Sequence, residues 1–279
     1  MKSVLPPFLF FLVLLRCMSA YGQEVSTLQE LQSRLREMND PSSSQSQEYT
    51  DLLIAIGLEF RFVDNDSLKY YTDKAQQSIE QFELNSPQSQ ASIYRNLGYY
   101  YSEQGKSQQA LEYYAKVVDI SDQQDLPELH LRALIWMSDE YYYLDQKGNE
   151  LVALLKVIEA GEKDRENHLM ELSIATENIA FLYADQEEFE KAMDYFRQVL
   201  LYNEELSNPI STAQTFTNLA DTLSEMEEFS EAMKYIDQAI AVFEKRDTPE
   251  WLATAYQIKG LIYYESDQFE LSLDYVLKA

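Results

Sequence analysis

The residues of this 279-residue chain that could do chemistry are two histidines, one cysteine and a scatter of paired acids. His130 and His168 stand far apart, with no cysteine beside either and no HExxH-like spacing, so no zinc site is expected. A glycine-rich phosphate loop and a GxSxG nucleophile are both missing. Glu187-Glu188 and Glu227-Glu228 are the acid pairs best suited to hold a cation or move a proton. Each precedes an apolar-periodic run, where solvated carboxylates favour the dipole of the following helix. No catalytic residue, metal or cofactor is therefore assigned, and no enzyme is expected within these residues. What remains is binding chemistry, carried by whichever face the helices present.

The charge narrows the partner. The formal net charge is −26, which disfavours nucleic acid and anionic membrane surfaces, because both are held by Lys and Arg neutralising phosphate. Hydrophobic residues make up 46% of the chain, so a packed core is expected. Seven glycines and seven prolines are too few to punctuate many short strands.

The N-terminus reads as a secretory leader. Lys2 precedes an apolar run from Leu5 to Leu15, closed by Arg16, and about 20 residues would be needed to span a bilayer. Small residues in Ala20-Tyr21-Gly22 place cleavage before Gln23, making 1–22 a signal peptide and the chain exported. Cys17 lies inside this leader, and "LLRC" puts Arg where a lipidation signal wants a small residue. Removal of Lys2 and Arg16 takes the charge to −28 and leaves no cysteine. Stability then rests on the core alone, which suits a periplasm or cell envelope. Residues 23–47 carry a helical stripe (Val25, Leu28, Leu31, Leu35, Met38) and the linker "NDPSSSQSQ", read as an N-terminal helix joined loosely to the body of the chain.

The elements that position any binding residue are set by a repeat of about 40 residues. Pro87, Pro127, Pro209 and Pro249 are spaced 40, 82 and 40 apart and follow Ser86, Leu126, Asn208 and Thr248. Proline in the first turn loses no hydrogen bond, so each predicts a helix start. The missing member falls near Asn167-His168. A second series aligns Ala110, Ala153, Ala192, Ala232 and Ser272, each followed four residues later by Tyr114, Val157, Phe196, Ile236 or Val276. Small residues there let two antiparallel helices approach, with turns expected at Gly105, Gly148, Glu187, Glu227 and Asp267. Tyr113, which recurs as Tyr195 and Tyr235, is expected to pack between units.

Residues 91–124, with Tyr94, Leu97-Gly98, Tyr101, Ala110 and Tyr114, resemble the tetratricopeptide repeat. So do 173–206 (Ile179-Ala180, Tyr183, Ala192, Phe196) and 213–246 (Leu219-Ala220, Ala232, Ile236). Residues 134–167 depart most, and a degenerate unit around Gly57 and Ala75 precedes the series. The resemblance implies an all-α fold, a right-handed α-solenoid of about six units over 48–279, the last incomplete. In this family the concave groove is lined by fixed first-helix positions. Carried over, they give Arg95, Asn96, Tyr99, Tyr142, Asn178, Phe181, Asn218 and Asp221. Only Arg95 among them is basic, so a neutral or basic protein segment is the implied ligand.

The last unit halts at "LDYVLKA", leaving Leu271, Leu273, Val276 and Leu277 without a cover. The expectation is a longer protein whose output, of histidine kinase type, lies beyond Ala279 past a membrane helix. A homodimer would cover the same face. The alternative is a free-standing periplasmic adaptor in envelope assembly.

Overall fold

The computed structural model describes residues 21–38 and 45–279, so the expected 1–22 leader, Cys17 included, lies outside the described residues except for Tyr21 and Gly22, as does most of the linker. Among the described residues every regular element is helical, in two compact units, Met1–Asp145 and Gln146–Ala279. No described helix is long and apolar enough to cross a membrane.

The first unit holds α1 (Tyr21–Glu37), α2 (Ser46–Glu59), α3 (Asn65–Gln81), α4 (Pro87–Ser102), α5 (Ser107–Gln123) and α6 (Pro127–Tyr143). The second holds α7 (Lys147–Gly161), a 3-10 turn (Glu162–Asp164), α8 (Arg165–Ala184), α9 (Phe189–Glu205), α10 (Pro209–Glu225), α11 (Phe229–Arg246), α12 (Pro249–Glu265) and α13 (Phe269–Val276). Successive helices form hairpins, and within each unit the hairpins stack as in an α-solenoid.

All four prolines occupy the first residue of a helix. Ser86 and Asn208 cap as their types suggest, accepting from the backbone N–H of Ser89 and Ser211. Thr248 does not; its hydroxyl donates to the Phe243 carbonyl. Where proline is missing, α8 begins at Arg165 and kinks at the buried His168 (φ −121°, ψ 18°).

The turns share one device. Gly105, Glu187, Glu227 and Asp267 all have φ between 59° and 67°, and the next residue donates back to Tyr101, Tyr183, Leu223 and Tyr263. This is the left-handed closure that satisfies the last carbonyls of a helix. Gly148 is not part of it. It lies inside α7, and the left-handed residue of that turn is Asp145 (φ 54°). Glycine is the wrong marker there because aspartate tolerates the same conformation.

The small-residue series is buried throughout: Ala110, Ala153, Ala192, Ala232 and Ser272. Tyr114, Val157, Phe196 and Ile236 beside them are buried too, whereas Val276 is exposed. Gly98 shows how close the helices come, since a Cβ there would lie 2.1 Å from Tyr114 Cε1. The N-terminal helix is docked, not loosely joined. Leu35 packs against the Leu53, Ile54, Ala75 and Ile93 cluster, and Arg34 pairs with Glu48 at 2.9 Å.

Candidate binding faces

The first helices of successive hairpins line one face of each unit, and they carry the eight residues predicted from repeat register. In the second unit this face is built from α8, α10 and α12. Asn178 is half-buried on α8. Asn218, only 7% exposed on α10, donates its amide to Glu177 Oε1 at 3.1 Å and so ties α10 to α8. Phe181 turns inward, its ring edge-on to Phe196 with centroids 5.3 Å apart.

Asp221 lies about one turn beyond Asn218. Burial pushes its carboxyl up to about 7, with the Glu225 and Glu265 charges adding to the rise. Burial also raises Glu225, again with help from Glu265. Ser224 donates its hydroxyl to Glu265 Oε2 at 2.5 Å and positions that third carboxylate. Leu261 and Tyr264 on α12 are exposed. The face thus combines an amide strut, three mutually repelling carboxylates and exposed apolar groups. Such a surface can accept hydrogen bonds and cationic side chains. A proton or a cation would relieve its self-repulsion.

The corresponding face of the first unit is different. Asn96 is fully buried, donating to the Ile54 carbonyl at 3.1 Å and accepting from Arg95 Nε and Nη2 at 3.2 and 3.1 Å. Its amide is committed to holding α4 on α2. Tyr99 is 5% exposed and meets Tyr114 and Trp136 edge-on, with centroids 6.1 and 5.3 Å away. Its ring also carries the Arg61 guanidinium, 3.4 Å from the centroid. Tyr142, half-buried on α6, meets Tyr143 edge-on.

Arg61 is the residue that spacing did not reveal. It follows α2 in a degenerate hairpin, just before the left-handed Phe62, and so has no groove position by repeat register. The available signal was a lone arginine between Phe60 and Phe62 in a strongly acidic chain.

Three tyrosine pairs seal hairpins from within. Tyr101 stacks on Tyr113 at 5.4 Å, Tyr183 on Tyr195 at 5.5 Å and Tyr263 on Tyr275 at 5.5 Å. Tyr113 also lies near enough to the preceding hairpin for Lys69 to act on its hydroxyl. It seals its own hairpin, because the residue before the buried Tyr114 points back at the first helix.

Comparison with known proteins agrees with the repeat reading. The family described as "Tetratricopeptide repeat" matches residues 171–245 and, through a second profile of the same description, residues 90–121. These segments are tetratricopeptide repeats, a scaffold typical of protein–protein interaction and not of catalysis. No curated protein matches the sequence. Among solved structures, the chain is similar to a signal transduction ATPase with numerous domains, bearing a tetratricopeptide repeat sensor, from Pyrococcus horikoshii. That match has TM-score 0.72 and 14% identity, covering 88% of this chain and 38% of the other. RapI in its apo form matches with TM-score 0.72 and 15% identity over 96% of this chain and 73% of its own. A Rap protein complexed with Competence and Sporulation Factor matches with TM-score 0.59 and 16% identity, over 91% and 74%. At these identities the likeness is one of fold.

Proposed function

We propose that this chain is a peptide-binding scaffold acting outside the cytoplasm, as the sensory region of a bacterial membrane signalling protein of histidine kinase type. The observation that carries the binding reading is the α8–α10–α12 face. There Asn178 is half-buried, Asn218 is braced by Glu177, and Asp221, Glu225 and Glu265 repel one another. An extended backbone satisfies an asparagine amide as donor and acceptor, and a Lys or Arg of the ligand relieves the carboxylates. The preferred ligand of this face is a neutral or basic segment. A Rap protein of the same fold is known in complex with Competence and Sporulation Factor, which fits the use of this scaffold for capture.

The export reading is supported by the apolar run Leu5 to Leu15 between Lys2 and Arg16, and by the lack of cysteine beyond Cys17. The signalling reading is supported by likeness to a solved ATPase whose own repeats are described as a sensor, of which this chain spans 38%. The test of binding uses a basic octapeptide and an acidic one of equal length, titrated calorimetrically into the full chain. The basic peptide should bind, and changing Asp221 to Asn with Asn178 to Ala should weaken it about tenfold or more, as losing charge-assisted bonds does. Equal binding of both peptides, or no effect of the substitutions, would refute the reading. For export, a fused reporter phosphatase active only outside the cytoplasm should be active with residues 1–22 and silent without them.

A further inference from the structure

A loop of the first unit places an arginine among aromatic rings and acids. Between α2 and α3, the Arg61 guanidinium lies 3.4 Å from the Tyr99 centroid and 4.2 Å from that of Phe62. Tyr99 is backed edge-on by Tyr114 and Trp136. Glu103, Glu140 and Asp139 surround the group. Desolvation raises the Glu103 carboxyl, the Arg61 charge opposes the rise and Glu140 adds to it. Burial raises the Tyr114 hydroxyl, and Arg61, Glu140 and Asp139 all act on it. Aromatic faces ringed by carboxylates are a chemistry that holds organic cations.

Arg61 fills this place incompletely. Its Nε is buried without a hydrogen-bond partner, and among the described residues its guanidinium forms no ion pair. Glu140 is 2% exposed, and its Oε2 is buried without a donor. A donor and an acceptor are thus left unmet around the same rings, each at a cost. The neighbouring Arg95 is turned to Asn96 Oδ1. Arg165 in the second unit shows the contrast. Its guanidinium lies 4.6 Å from the Tyr202 centroid and also pairs with Glu162 at 2.9 Å and Glu205 at 2.6 Å.

The loop that carries Arg61 is anchored at its ends and weakly held between them. Phe60 stacks on Tyr71 at 5.7 Å, and Asp64 caps α3 by accepting from the N–H groups of Asp66 and Ser67. Phe62 takes a left-handed φ of 69°, a costly backbone for a bulky side chain. Phe62 and Val63 are exposed, so little apolar burial fastens them. The Val63 and Asp64 N–H groups donate to the Phe60 carbonyl at 3.1 and 3.0 Å, within the loop itself.

We infer that Tyr99, Glu103 and Glu140 form a binding site for an arginine side chain of a partner protein, and that Arg61 occupies it as a built-in stand-in until the partner displaces the α2–α3 loop. The site shares no residue with the α8–α10–α12 face and does not depend on the reading built on that face. Arginine is favoured over lysine, because a planar guanidinium stacks on Tyr99 while its forked donors turn to the carboxylates. A partner's arginine is free to meet Glu140 Oε2, which Arg61 leaves unmet.

The experiment follows the Trp136 indole N–H by NMR, assigned with Trp251→Phe, since Trp136 lies 5.3 Å from Tyr99 by centroids. The full chain and its Arg61→Ala form are titrated with N-acetyl-arginine methylamide and with the lysine and citrulline analogues. Citrulline keeps the shape of arginine without its charge. Arg61→Ala should bind the arginine probe saturably and about tenfold or more tighter than the parent, because no side chain has to leave first. The lysine analogue should bind more weakly and the citrulline analogue not at all. Adding Glu140→Gln should weaken the arginine probe about tenfold or more, as losing a charge-assisted bond does. Arg61→Gln should act in the same direction as Arg61→Ala and carries the test if the alanine form does not fold. Equal affinity in the parent and the folded variants, equal binding of citrulline, or no saturable binding in any of them would each overturn the inference. Probe binding without capture of the basic octapeptide would remove the proposed function and leave this site. Capture of the octapeptide without probe binding would do the reverse.

Discussion

Replacing Gly98 with Ala should destabilise the first unit, although alanine is the better helix former. On propensity alone the change would favour α4 by about 1 kcal/mol. The new methyl, however, would lie 2.1, 2.5 and 2.8 Å from Cε1, Cδ1 and Cζ of Tyr114. Tyr114 is 2% exposed and cannot swing aside, because Tyr99 stands edge-on to it and Trp136 lies 5.6 Å away by centroids. Overpacking of a filled core costs about 1–3 kcal/mol, and a displacement of more than about 1 Å against three rings belongs at the upper end. The net loss is about 2 kcal/mol, or about 4–8 °C in melting temperature at this chain length. Calorimetry with far-UV circular dichroism measures it. The decisive control is Tyr114→Leu, which is itself destabilising but removes the clashing ring. In that background Gly98→Ala should turn neutral or stabilising, giving a coupling energy of about 2 kcal/mol. A Gly98→Ala protein as stable as the parent, or one whose loss is unchanged with Leu at 114, would show that close packing on Tyr114 is not what excludes a side chain there.

The second unit supplies three further expected outcomes. Asn203 accepts from the Ser173 hydroxyl at 3.1 Å and donates to Thr215 at 3.2 Å, all buried, so Asn203→Ala should cost about 1–3 kcal/mol in urea unfolding. Glu227 holds a left-handed φ of 61°, and Glu227→Gly should raise the melting temperature through relief of about 1 kcal/mol. Asp221 has a folded pKa of about 7 against an ordinary 3.8, so the folded state binds more protons and stability falls as pH rises between those values. Asp221→Asn should flatten that fall, and a parent melting temperature that rises from about pH 4 to about pH 7 by an amount Asp221→Asn removes would contradict the sign.

The parts of the fold that rest on backbone chemistry were legible in the sequence. Proline marks helix starts because it lacks the N–H that a first turn leaves unused, and all four body prolines sit there. Alanines spaced by about 40 residues report where backbones must touch, and they are buried. The Asp145 turn was not legible, since an acid in left-handed conformation looks like any surface acid. The binding face was legible as a set of positions but not in what each side chain does there. Asn96 and Asn218 share a repeat position, yet one bonds to the Ile54 carbonyl and the other to the Glu177 carboxylate. Those partners come from the preceding hairpin, which register alone does not specify. Arg61 was hidden for the same reason, because its partner Tyr99 lies on the next first helix.

Capture of basic segments by the α8–α10–α12 face is tested most directly by panning a displayed library of random octapeptides against the full chain and its Asp221→Asn/Asn178→Ala form. Lys- or Arg-containing peptides should enrich on the parent alone. Their binding should tighten as pH rises through about 7, as Asp221 ionises. Peptides that enrich equally on both proteins, or that carry no basic residue, would contradict it.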